Sequence, residues 1–145
     1  MEYRTINNTV YIRIDKGEQV LETIRFVCKT EHILGGHFQG IGACDTAILS
    51  TYIPEKAGFI DPTLSGMIEM VSLMGNVSAD DAGSPVLHSH AVFSYLKDNG
   101  EVAVTAGHLT ESRIGYTGEI ILAPAGETIN RMFDAKAGID VWKLS

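Results

Sequence analysis

His88 and His90 stand two residues apart in Leu87-His88-Ser89-His90, and His108 follows in Gly107-His108-Leu109. Neutral imidazole binds divalent transition metals through one ring nitrogen, at about 2.0–2.1 Å for zinc. Three histidines and a water form the ligand set of an open zinc site, where the metal lowers the pKa of its water to about 7. Iron, nickel, copper and manganese accept the same ligands, and the residue types do not separate them. The plainer reading is that these are ordinary hydrogen-bonded strand histidines. Spacing alone leaves both open.

The segments around the histidines decide whether the rings can meet. Val86–Tyr95 alternates, with Val86, His88, His90, Val92 and Ser94 on one side and Leu87, Ser89, Ala91, Phe93 and Tyr95 on the other. Residues two apart on a strand share a face, with Cα atoms about 6.5–7 Å apart. Asp98-Asn99-Gly100 is a hairpin signal that folds the chain back and brings His108 toward the pair. Gly107 is expected to permit a turn that redirects His108. His32, at a predicted helix end, and His37, in a glycine-rich stretch, are weaker candidates.

Two carboxylates are candidates for acid/base chemistry. Glu69 lies among apolar residues on a predicted strand, where an unpaired charge is costly. It is expected to pair with a base such as Arg113, to orient a histidine, or to act as a general base. Glu119, in Gly118-Glu119-Ile120, has the same set of roles. Ser50, Ser72 and Thr105 lack a nucleophile-elbow motif, which argues against a serine hydrolase. Gly35-Gly36, Gly40 and Gly42 have no Gly-Lys-Ser/Thr beside them and read as close strand packing rather than a phosphate loop. Gly75-Asn76 reads as a tight bend near a strand end.

The remaining elements follow from periodicity. Val10–Ile14 is a β-branched strand, and Glu18–Thr30 has helical spacing at Val20, Leu21, Ile24, Val27 and Cys28. Strands are predicted over Gly35–Ser50, Ser65–Val77, Glu101–Ala106 and Ile114–Ala123, with a short helix over Glu127–Phe133. A strand, one main helix, then hairpin-linked strands indicate an α+β domain with a mixed or mostly antiparallel sheet. The 145 residues, without a linker-like stretch, form one domain over 1–145. One helix cannot cover both sheet faces, so subunit association is expected.

Composition excludes some classes. The net charge of −7, with eleven scattered basic residues, does not suit a surface that tracks nucleic-acid phosphates. No apolar run is long enough to span a bilayer. The N-terminal residues do not resemble a signal peptide, and Cys28 and Cys44 read as buried thiols, so the cytoplasm is the expected location.

Several segments, taken in order, resemble the PPC (plants and prokaryotes conserved) domain. They are Gly40-Ile41-Gly42-Ala43, Ile68-Glu69-Met70-Val71-Ser72-Leu73-Met74-Gly75-Asn76, Leu87-His88-Ser89-His90 and Gly107-His108-Leu109, with an opening in Tyr11-Ile12-Arg13-Ile14 and Gly17-Glu18. The resemblance spans Tyr11 to Ala123. It implies a homotrimer around a mostly antiparallel sheet, and that His88, His90 and His108 are the family's histidine cluster, with a divalent metal, zinc first, as cofactor. Plant members follow an AT-hook and carry a Gly-Arg-Phe-Glu-Ile-type segment for partner binding. The matching stretch here is Gly66-Met67-Ile68-Glu69-Met70, which keeps Glu69 but not the Arg and Phe. Partner binding of the plant type, and direct DNA binding without a basic segment, are therefore not expected. What remains is a binding or regulatory module with a metal site for a small ligand, or a metal-dependent hydrolase or lyase acting on a small molecule.

Overall fold

A computed structural model describes residues 1–145. The elements, in chain order, are β1 (Glu2–Ile6), β2 (Thr9–Asp15), α1 (Val20–Thr30), β3 (Gly36–Ile53), a 3-10 turn (Pro54–Lys56), β4 (Gly58–Ile60), β5 (Thr63–Ala79), β6 (Pro85–Leu96), β7 (Val102–Pro124), β8 (Asn130–Asp134) and β9 (Ile139–Lys143).

Three long strands organise the molecule. β3 pairs antiparallel with β5 on one edge and with β7 along the other. β6 pairs with β5 and with the first part of β7, so β3, β5, β6 and β7 close a ring of pairings. The later part of β7 pairs with β2, and β1 extends the sheet beyond β2. Register shifts at Gly40/Gly42, Cys44/Thr46 and Met70/Ser72 bend the long strands. Such bulges raise local twist, which a sheet needs in order to curl. The one parallel contact, Ala79 opposite Asn130, joins the β8–β9 hairpin to the end of β5 and makes the sheet mixed.

Inward-facing residues build a single core. Phe38, Leu49, Ile68, Met70, Leu73, Phe93, Leu109, Ile114, Ile120 and Leu122 are almost fully buried. Val20, Ile24, Val27 and Cys28 of α1 join the same cluster. The helix packs on β2, β6 and β7 and starts after Gln19, which makes no side-chain cap. Its stability therefore comes from burying this apolar stripe rather than from its ends.

Several sequence expectations need correction. The α+β expectation fits only loosely, because the chain is mostly sheet with a single 11-residue helix. Residues 130–134 are strand rather than helix: they pair with Ile139–Lys143, and Gly138, at φ +70°, closes the turn. The two strands expected over 101–106 and 114–123 are one continuous strand, β7. Gly107 is consequently not a turn but a mid-strand position, where an added Cβ would lie 3.2 Å from the Ser50 carbonyl oxygen. Gly75-Asn76 likewise lies within β5, and Gly75 is small because the Phe38 ring occupies the space above it.

Candidate metal centre

His88 and His90 point outward from β6, while Ser89 and Ala91 between and beyond them are buried. The alternation of the sequence accounts for this directly. The hairpin that returns the chain is closed by the Gly100 amide donating to the Lys97 carbonyl and the Lys97 amide donating to the Glu101 carbonyl, each at 2.9 Å. Gly100 has φ +80°, a conformation that favours glycine. The resulting register sets His108 directly opposite His90. Cross-strand partners share a face, so all three rings lie on the outer surface of the ring of strands.

The rings converge. Their centroids are separated by 5.4 Å for His88 and His90, 5.1 Å for His88 and His108, and 5.5 Å for His90 and His108. One nitrogen from each lies within 4.8 Å of the others, and no carboxylate or thiol belongs to this group. An imidazole centroid stands roughly 3.1 Å from a metal bonded at about 2.0–2.1 Å, so tetrahedral angles separate ligand centroids by about 5 Å. The observed centroid separations fit that arrangement.

Electrostatics favour the neutral, ligating form. Partial burial lowers the proton affinity of His88 below its ordinary value, and His108, His90 and the Arg131 guanidinium lower it further. Partial burial, then His90, does the same to His108. Charging any one ring in this cluster repels charge on the next.

The neighbours of the triad come from three strands. Asn76 on β5 is opposite His88, and His37 on β3 is opposite Asn76, so His37 lies in the same row two strands away. Met74 is opposite His90, and Ser50 is opposite His108. The Ser50 hydroxyl donates to Asp61 at 2.5 Å and lies 2.7 Å from the Thr110 hydroxyl. Arg131 reaches this face from β8, donating to the Ser78 hydroxyl at 3.3 Å and to the Asp140 carbonyl at 2.6 Å. Sequence reasoning missed Arg131, because its segment was read as helix and nothing local announces the hairpin that carries it.

The other sequence candidates lie elsewhere. Glu69 is exposed on β5 opposite Ser94, four residues along β6 from His90, or about 13 Å of strand. Arg113 pairs with Asp45 at 2.8 Å rather than with Glu69. Glu119 is opposite Arg13 and Ile41, toward the far end of β7 from His108. It borders a groove of about 650 Å³ whose lining includes Tyr11, Ile41, Met74 and Ile121. His32, at φ +55° after the helix, is exposed.

The sequence profile of the Plants and Prokaryotes Conserved (PCC) domain matches residues 1–126. Among solved structures, the chain is similar to a candidate DNA-binding protein of Bacteroides thetaiotaomicron, with 25% identity and a TM-score of 0.87 over 98% of this chain and 96% of the other. It is similar to a metal-containing protein of Archaeoglobus fulgidus, with 28% identity and a TM-score of 0.79 over 98% and 96%. A plant- and prokaryote-conserved (PPC) protein of Pyrococcus horikoshii shares 30% identity and a TM-score of 0.77 over 98% and 94%. No functionally curated protein matches the chain.

Proposed function

The chain belongs to the Plants and Prokaryotes Conserved (PCC) domain family, and from that premise we propose that it is a homotrimeric binding module holding a divalent metal ion, zinc first among candidates, on His88, His90 and His108. The observation that carries this reading is the convergence of three imidazoles with centroid separations of 5.1–5.5 Å. The metal-containing relative from Archaeoglobus fulgidus supports it. The bound ion would supply a Lewis-acidic position facing solvent, suited to recruiting a small ligand. The register of β6 and β7 sets the three rings on one face, and partial burial disfavours the charged form of His88 and His108.

An enzyme of the hydrolase or lyase type is the second reading. It needs an acid or base beside the metal. Glu69 and Glu119 are remote from the triad within one chain, and the ligand-distance group holds histidines alone. The binding module therefore stands first. Direct DNA binding is not part of this reading, because the chain carries a net charge of −7.

Association is supported by the outer sheet face. Tyr11, Ile41, Met74 and Ile121 are 38–63% exposed around the groove. Contiguous apolar surface of this kind commonly marks an interaction site, and association buries it. Two free, buried cysteines suit a reducing compartment such as the cytoplasm.

Elemental analysis of the purified protein tests the metal reading. Wild type is expected to carry up to one zinc or similar ion per chain, and His88→Ala/His90→Ala to carry almost none. Equal metal in both would remove the site. Light scattering at micromolar concentration is expected to give a trimer mass.

A further inference from the structure

We propose that the metal's open position is filled by an anion, a carboxylate or phosphate group on a small molecule, gripped jointly by the ion and by Arg131. This inference rests on the metal reading above and names the class of ligand that the site would take.

The site is short of negative charge. Its three candidate ligands are neutral imidazoles, and no carboxylate lies within ligand distance of them. A divalent ion there would keep its full charge. The nearby Arg131 is also uncompensated: its two acceptors, the Ser78 hydroxyl and the Asp140 carbonyl, are both neutral, and none of the molecule's ion pairs involves it. Asp61 is tied to Ser50 on the opposite flank of the triad, outside the ligand group. Two uncompensated cationic groups held close together repel, and an anion between them relieves both.

The placement of Arg131 suits such a bridge. Ser78 is opposite Val86, and Asn76 is opposite His88, so Ser78 and His88 are diagonal neighbours on one face. Diagonal cross-strand residues stand about 7–8 Å apart. Arg131, hydrogen-bonded to Ser78, is thus held on the His88 side of the triad, and an anion that joins a metal ion to a guanidinium spans about 7 Å between them. The fork of Arg131 matches two oxygens of a carboxylate or phosphate. Asn76, between this guanidinium's partner Ser78 and the triad, is half-buried on the same row and carries an amide that can donate to the same anion.

The test uses cobalt(II)-loaded full-length protein, titrated separately with acetate and inorganic phosphate while the visible spectrum is recorded. Either anion is expected to shift the cobalt bands saturably, and the stronger of the two identifies the head group. Arg131→Gln is expected to weaken that binding about tenfold, as for loss of a charge-assisted pair, with cobalt affinity unchanged. Arg131→Lys keeps the charge but not the fork, and is expected to recover part of the affinity, whereas a mere hairpin clamp would leave anion binding as weak as in Arg131→Gln. Saturable binding of equal strength in wild type and Arg131→Gln, or no spectral response to either anion, overturns this inference alone. Absence of a histidine-dependent cobalt spectrum overturns the metal reading and this inference with it.

Discussion

His90 and His108 face each other directly across β6 and β7, with ring centroids 5.5 Å apart and planes at 88°. They are eighteen residues apart in sequence, and the register of one hairpin makes them neighbours. That register is set by the turn at Asp98-Asn99-Gly100. A one-residue slip moves every side chain to the other face of a strand. Inserting one glycine between Asn99 and Gly100 is expected to lower the metal content well below wild type. Circular dichroism should still report a β-rich fold, since β7 keeps its pairing with β3. Full metal retention with an unchanged fold would mean that the turn absorbs the insertion.

The metal-free protein should lose stability in mild acid. The folded-state pKa values of His88 and His108 lie below the ordinary 6.5, chiefly because the rings are partly buried. As pH falls below 6.5, the unfolded chain takes up protons at these rings before the folded chain does, so the slope of stability against pH is positive. The contribution is complete above pH 6.5 and disappears as pH passes below the lowered folded values. The thermal midpoint of metal-free protein is therefore expected to drop as pH falls below about 6.5. His88→Gln/His108→Gln should flatten that part of the profile. A profile unchanged by the double substitution would assign the acid sensitivity to other groups.

Local signals made part of this legible in the sequence. The period-2 alternation of Val86–Tyr95 and the Asp-Asn-Gly turn are local properties, so the outward pair and the returning strand follow from them. Long-range closure is not local. Gly107 looked like a turn because glycine permits one, yet its small size serves the close approach of the Ser50 backbone from β3. Residues 127–133 carry no strong strand pattern, and β8 exists because β9 and the end of β5 pair with it. Arg131 was missed with the segment that holds it. Glu69 drew attention as a carboxylate among apolar residues, but its own face of β5 is exposed, so no burial cost demands a partner.

Cys28 and Cys44 should be inert in the folded protein. Both are fully buried, and burial pushes each thiol up from 9.0 to about 12. The thiolate is the reactive form, so its population falls by about a thousandfold as well as being shielded from reagents. A disulfide-exchange reagent at pH 8 is expected to label neither cysteine natively and both in denaturant. Rapid labelling of the native protein would show that α1, which carries Cys28, opens readily.

Gly75 and Phe38 form the other pairing that supports the centre. They are direct cross-strand partners on β5 and β3, and the Phe38 ring lies where a Cβ on residue 75 would project. Phe38 is 1% exposed, so it has little room to move away. Gly75→Ala is therefore an overpacking change, expected to cost about 1–3 kcal/mol in urea unfolding. Phe38→Ala empties the same space and is expected to cost about 3–5 kcal/mol. The double variant should lose less than the sum, because the added methyl occupies space that the ring has left. Strict additivity would mean that the two residues do not share that space. The effect should extend to the metal, since Met74, next to Gly75, is the cross-strand partner of His90. Gly75→Ala shifts β5 against β3, and β5 positions β6, so metal retention is expected to fall in Gly75→Ala and to recover partly in the double variant.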